Sequence, residues 1–271
     1  MTDRLRFTIL GCGSSGGVPR LGMKAPDWGD CDPANPKNRR TRCSLLVERI
    51  GDAGITRVLI DTSPDMHAQL LAAQVGVLDA VAFTHAHADH THGIDDLRQV
   101  VFNIRRRLPV WADGPTQDAL ISRFGYAFVQ PAGSPYPPIL DLNTITDDTP
   151  FTVTGAGGDL TLTPFLCEHG SMDALGFRIG GLAYLPDAVA IPETHWPLLT
   201  GLEVWVVDAL RRKPHPTHAH LDMTLGWIDR AQPARAVLTN MHNDLDYAVL
   251  LTELPAHVRP AFDGMVIEIA A

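Results

Sequence analysis

The stretch Phe83-Thr84-His85-Ala86-His87-Ala88-Asp89-His90-Thr91-His92-Gly93 constrains this chain more than any other. Four metal-ligand side chains, His85, His87, Asp89 and His90, fall within six positions, directly after the apolar run Ala80–Phe83 and ahead of a helical pattern. Imidazole nitrogens and carboxylate oxygens suit zinc, manganese or iron. On extended backbone, residues two apart point the same way, so His85 and His87 can hold one ion. Asp89 and His90 then fall where the chain turns into the helix and can reach a second ion beside the first. A merely His-rich polar loop is the plainer alternative, and the strand–loop–helix setting argues against it.

Short apolar runs recur along the 271 residues, and most end in a polar residue: Val58–Ile60 before Asp61, Leu160–Cys167 before Glu168-His169, Leu182–Leu185 before Pro186-Asp187, Val204–Val207 before Asp208, Ala236–Leu238 before Thr239. They read as strands buried in a layered sheet. Helical patterns lie between them. One starts at Ser63-Pro64-Asp65 and closes at Gly76. A second carries Ile94, Leu97, Val101, Ile104 and Leu108 and stops at Pro109. Others are a helix capped by Asp222 and one over Leu245–Leu254. The alternation predicts an α/β protein, taken as one domain over 1–271. Pro131–Pro138 reads as a surface loop within it.

Twenty-two basic against 31 acidic residues leave a formal charge of −9, which disfavours a broad phosphate-tracking surface for nucleic acid. Cys12, Cys31, Cys43 and Cys167 form no C-x-x-C pair, so a disulfide scaffold and a zinc knuckle both fit poorly. No apolar run approaches the roughly 18 residues of a membrane span. The first ten residues meet Gly and Ser before a signal core could form, so a soluble, cytoplasmic protein without a membrane partner is expected.

H-x-H-x-D-H after a hydrophobic strand resembles the signature of the metallo-β-lactamase-fold hydrolases. Gly11-Cys-Gly-Ser-Ser-Gly-Gly-Val-Pro19, Arg42-Cys-Ser44, Leu59-Ile-Asp61 and Phe262-Asp-Gly-Met265 narrow the resemblance to PhnP-type phosphodiesterases, whose named member opens a phosphoribosyl cyclic phosphate. The resemblance implies a four-layer αβ/βα sandwich, two divalent metal ions (Mn or Zn) and a homodimer. It also implies further ligands: His169 matches the third histidine of the first site, and Asp187 the carboxylate that bridges both ions. The last family histidine follows Leu-Thr, where this chain has Leu238-Thr239-Asn240-Met241-His242. Asn240 holds the strict position. His242, two residues on and on the same face of an extended segment, is taken as the ligand, failing which the second site is one nitrogen short. Only Cys31 remains of the family's cysteine cluster near the N-terminus, so no structural zinc is expected.

The implied chemistry is hydrolysis of a small or cyclic phosphodiester by a water activated between the two ions, with Asp89 among the catalytic groups. In Pro214-His215-Pro216-Thr217-His218-Ala219-His220-Leu221-Asp222, His220 is matched to the non-ligand histidine that protonates the leaving group, with His218 and His215 as rivals. Asp61 is read as a carboxylate orienting a ligand, Asp208 as a weaker one, and His67, His195 and His257 as structural or exposed. Gly11–Gly16 spells G-x-G-x-x-G, but Pro19 and Pro26 deny it the helix of a dinucleotide site. The loop could instead offer N–H groups to an anion, with Arg42, Arg39 or Arg40 as a phosphate clamp. Rival functions are another hydrolase on this scaffold (a tRNA-processing nuclease, thioesterase or lactamase) and a non-enzymatic metal-binding carrier, the latter favoured by Asn240.

Overall fold

The computed structural model describes residues 3–271; Met1 and Thr2, where the segment read as lacking a leader begins, lie outside it. Among the described residues the strands are β1 (Arg4–Gly11), β2 (Ser44–Gly51), β3 (Gly54–Ile60), β4 (Ala80–Ala82), β5 (Leu108–Ala112), β6 (Leu140–Thr144), β7 (Phe151–Val153), β8 (Leu160–His169), β9 (Met172–Ile179), β10 (Leu182–Leu185), β11 (Val204–Asp208), β12 (Arg235–Thr239), β13 (Val258–Pro260) and β14 (Met265–Ala270). The α-helices are α1 (Met66–Ala72), α2 (Ala88–Thr91), α3 (Leu97–Ile104), α4 (Gly114–Phe128), α5 (Leu221–Ala231) and α6 (Tyr247–Glu253). They fall into two compact units, one holding the residues up to Leu10, Ser44–Thr161 and Val266–Ala271, the other Gly11–Cys43 and Leu162–Met265. No described helix is long and apolar enough to cross a membrane.

The first unit carries the sheet ordered β14-β1-β2-β3-β4-β5-β6. β2 and β3 form an antiparallel hairpin, and β3 to β6 run parallel. Parallel neighbours need a crossover of a dozen or more residues, and α1, α2 with α3, and α4 supply the three. Leu46, Leu59, Val81, Phe83, Leu97, Val110 and Leu120 fill the core against these helices. Because Ile60 pairs with Ala82, Asp61 and the Phe83-Thr84-His85 segment leave the sheet side by side at its carboxyl edge.

The second sheet is ordered β13-β12-β11-β10-β9-β8-β7. β8, β9 and β10 are antiparallel, and β10 to β13 parallel, with α5 and α6 as crossovers. Phe165, Phe177, Tyr184 and Trp205 are fully buried in this unit. Leu185 pairs with Val207 and Asp208 with Thr239, so Asp187, Asp208 and Asn240 lie together where three adjacent parallel strands end. The carboxyl ends of parallel strands are where open α/β sheets place ligands, since each chain leaves the ladder there with free side chains and a loop.

Several helix boundaries differ from the pattern. α1 is capped by Asp65 rather than Ser63, whose Oγ accepts from Asp65 N, and the chain turns at Gln74 (φ 56) before it reaches Gly76. α3 ends because Arg105 turns left-handed (φ 55), and Leu108 and Pro109 already belong to β5. α5 begins one residue before Asp222, with His220 as its N-cap, and α6 is capped by Asp246, whose side chain accepts from Val249 N. Local backbone geometry and strand pairing, not the apolar period, set each of these stops.

Candidate metal centre

The first donor set is built around a buried carboxylate. Asp61 follows β3 with φ 64, a left-handed conformation that Asp tolerates better than most residues. Its Oδ1 accepts from Thr84 N at 2.8 Å, and its Oδ2 from Thr84 Oγ1 at 2.8 Å, with His90 Nδ1 at 2.7 Å. Burial pushes the Asp61 carboxyl above its ordinary range, and the His90 ring opposes that shift. Thr84 Oγ1 has one proton and gives it to Asp61, so at 3.0 Å from His85 Nδ1 it accepts from that ring. Both imidazoles therefore carry their proton on Nδ1 and present an Nε2 lone pair, the state a metal ligand requires. His85 Nε2 lies 2.9 Å from His87 Nδ1, and the His85 and His90 ring centroids are 4.3 Å apart. Asp89 Oδ2 sits 3.5 Å from His90 Nε2.

Local structure holds this cluster in place. His90 N bonds His87 O to begin α2, Thr91 Oγ1 donates back to His87 O, and Thr62 N and Gly93 N exchange bonds with His90 O and Thr62 O. Gly93 is required by close approach: a Cβ there would stand 2.1 Å from Ser63 O.

The second donor set closes the carboxyl edge of the other unit. His169 ends β8 and places Nδ1 2.7 Å from Thr217 O, so this ring too donates from Nδ1. Its Nε2 lies 3.7 Å from Asp187 Oδ2. The two amide protons of Asn240 Nδ2 reach Asp187 Oδ1 at 2.9 Å and Asp208 Oδ1 at 3.1 Å. Asp208 Oδ2 accepts from Ala188 N and lies 3.1 Å from His218 Nδ1. Asp187, Asp208 and Asn240 are all buried, and burial pushes the Asp208 carboxyl up to about 7 against the pull of His218. The His218 ring meets His169 edge-on at 4.5 Å.

Within its own unit, each set assembles most of the residues expected of it: Asp61, His85, His87, Asp89 and His90 in one, His169, Asp187, Asp208 and His218 in the other. One residue is placed differently. Asn240 has φ 60, which breaks the two-residue alternation that would have put His242 on the same face. His242 instead turns its Nε2 to Arg20 Nη2, with Nδ1 3.9 Å from Asp244 Oδ1, while Asn240 occupies the carboxylate cluster. His220 is the N-cap residue of α5 and its carbonyl accepts from Thr224 N and Oγ1, while His218 Nδ1 lies 3.1 Å from Asp208 Oδ2 and 3.2 Å from Asn240 Nδ2. His215 stands behind it, 5.1 Å from the His218 ring.

The expected anion loop and arginine clamp also change. Gly13 N, Ser14 N and Gly17 N donate to Thr41 O, Met241 O and Ser14 O, so these N–H groups are already satisfied within the protein. Arg40 is fully buried and donates to the carbonyls of His242 and Leu245, and Arg39 lies over the Trp28 ring. Sequence reasoning missed the Asn240 bridge between two carboxylates and the buried Arg40. The left-handed preference of Asn was the one available signal for the first, and nothing local announced the second.

The profile of the β-lactamase superfamily domain matches residues 56–241, a span that runs from β3 through both donor sets. The chain belongs to the β-lactamase superfamily. Its two mixed sheets with helices are the α/β metallo-β-lactamase fold that the histidine motif implied. A solved structure described as a new diphosphatase from the PhnP family superposes with a TM-score of 0.87 at 32% identity, over 99% of this chain and 98% of that one, so the superfamily member is PhnP-like. A zinc-bound PqqB from Methylobacterium extorquens shares the fold at a TM-score of 0.75 and 18% identity, over 97% of this chain and all of that one. An octanoyltransferase of Porphyromonas gingivalis is 36% identical over 96% of this chain and 51% of its own length. A ribonuclease Z of Bradyrhizobium is 30% identical over 58% of this chain and 52% of its own. The stretches matched thus amount to about half the length of these two curated relatives.

Proposed function

We propose that the chain is a metal-dependent hydrolase that cleaves a small or cyclic phosphodiester. The observation that carries this reading is the tautomer arrangement. Asp61, Thr84 and Thr217 hold the Nδ1 protons of His90, His85 and His169, which makes the Nε2 of each ring its lone-pair nitrogen. In this reading His85, His87, Asp89, His90, His169 and Asp187 would be the residues that hold divalent metal. Nitrogen and carboxylate donors of this kind suit Mn or Zn. When bound, a pair of such ions supplies a nucleophile from water at neutral pH and neutralises phosphate charge.

The protein's own groups do the rest. Asp208 orients His218 through Nδ1, which leaves Nε2 to protonate the departing ester oxygen. Asn240 donates to Asp187 and Asp208, so two buried carboxylates share one amide. The homology to a PhnP-family diphosphatase supports phosphorus as the reacting centre. The test is hydrolysis of bis-p-nitrophenyl phosphate against a thioester and a lactam with Mn or Zn added, alongside metal analysis. Diester hydrolysis with about two ions per chain is expected. Asn240 in place of an imidazole favours a second reading, a single-ion carrier that turns over none of the three substrates.

A further inference from the structure

Two apolar side chains stand in solvent on one short loop of the second unit. Leu21 and Met23 are as exposed as in an extended chain, at 105% and 102%. A lone exposed apolar residue needs no explanation, but this loop is built to hold both outward. Arg20 and Asp27 exchange backbone bonds in both directions, at 2.8 and 2.9 Å, and so close residues 21–26 into a finger. Asp27 Oδ1 accepts from Gly29 N at its base, and a Cβ at Gly22 would strike Ala25 O inside it. Lys24 is exposed beside Met23, with no ionic partner among the described residues.

The first unit carries an apolar recess of its own. Between α1 and α3 lies a slot of about 170 Å³ whose walls include Met66, Leu70, Val75 and Val100, with the exposed Leu71 at its lip. A cavity of roughly 150 Å³ takes a benzene-sized group, so the slot has room for one aliphatic side chain. Its amides are already tied: Gln99 Nε2 donates to Asn103 Oδ1 and Asn103 Nδ2 to Gly76 O, so the opening is preformed and asks its occupant for no hydrogen bond. Asp96 stands on the rim as the N-cap of α3 without a side-chain cap bond, and its exposed carboxylate gives the slot a negative edge. Finger and slot are complementary in polarity, size and charge.

We propose that the finger of a second copy of this chain fills the slot: Met23 enters between α1 and α3, Leu21 covers Leu71, and Lys24 meets Asp96. Met suits an irregular opening because it is unbranched and flexible. A finger on one surface and a slot on another would add copies without limit if each contact were made singly, and exchange of fingers between two copies closes the assembly as a two-fold dimer. Another occupant of the slot would leave the exposed finger unused, whereas a second copy covers both at once. The inference stands apart from the hydrolytic reading and does not depend on it.

The test is sedimentation of the full chain over a range of concentrations. Each contact is small, so the wild type should dimerise reversibly with a dissociation constant on the order of micromolar. Leu21→Asp and Met23→Asp together, or Leu71→Asp alone, should weaken dimerisation about thirtyfold or more, the loss expected when a buried anchor is removed. Lys24→Glu and Asp96→Lys should each weaken it about tenfold, and the chain carrying both should return to within about threefold of the wild type. All five positions are exposed, so thermal melting should show every variant folded. A wild type that stays monomeric at roughly 100 µM overturns the proposal, since even weak specific interfaces assemble there. So does a dimer that the finger changes leave intact, a charge exchange without recovery, or an assembly that grows past two copies.

Discussion

Replacing Asp61 by Asn is nearly isosteric and reverses the proton arrangement on which the first donor set depends. Asp61 is fully buried and accepts three bonds, from Thr84 N, Thr84 Oγ1 and His90 Nδ1. Asn keeps one acceptor oxygen, enough for Thr84 N, and turns an NH2 toward the other two partners. Thr84 Oγ1 then accepts and gives its proton to His85 Nδ1, and His90 Nδ1 becomes an acceptor. Both rings move their proton to Nε2, and two lone pairs meant for cations disappear. Loss of such a supporting partner weakens metal binding about 10–100-fold, or roughly 1.4–2.7 kcal/mol. The fold itself should change little, since a carboxylate held above its ordinary pKa by burial is exchanged for a neutral group of the same shape. The assay is zinc titration against a competing chelator, paired with nitrogen NMR of the histidine tautomers and the metal-free melting temperature. Metal affinity within twofold of wild type, or rings still protonated on Nδ1, would refute the reasoning.

Three further outcomes are expected. His218→Ala should retain bound metal yet slow substrates with poor leaving groups far more than p-nitrophenyl esters, by about 10²-fold or more, while His220→Ala should show no such split in kcat; the leaving-group dependence of kcat measures both. Arg40→Ala removes a fully buried cation from the carbonyls of His242 and Leu245, leaving Leu245 N as the donor to the first, so stability in urea should fall by about 3 kcal/mol. Burial pushes Asp263 from 3.8 up to about 6, against the bonds it accepts from Thr41 and Cys12. The native state therefore holds this proton more tightly than the unfolded chain, and its contribution to stability is present below about pH 4 and is lost as pH rises through 6. Asp263→Asn should flatten that part of the urea midpoint against pH, and an unchanged slope would show that the carboxyl ionises as readily as in the unfolded chain.

The ligand-bearing stretch was legible because its chemistry is local. His85, His87, Asp89 and His90 lie within six residues, and the apolar run before them marks the strand that delivers them. Asp61, Asp187 and Asp208 were readable for the same reason, each being the polar residue at or just past the end of an apolar run. The misplaced helix stops have a different origin. Arg105 and Gln74 adopt left-handed backbone that no hydrophobic period encodes, and Leu108 satisfies a helical spacing and a strand equally well.

The amino-acid order by itself determined the superfamily motif, the α/β alternation and the identity of most donor side chains, because these depend on residues only a few positions apart. Tertiary structure alone decided which nitrogen of each histidine carries the proton, that Asn240 rather than His242 joins the carboxylates, and that Met66 and Val100 wall a slot between α1 and α3. Each of those outcomes turns on a partner roughly 20 to 50 residues away or on a single backbone torsion. Distances of that kind are set when sheets and crossovers pack, and a linear pattern holds no record of them.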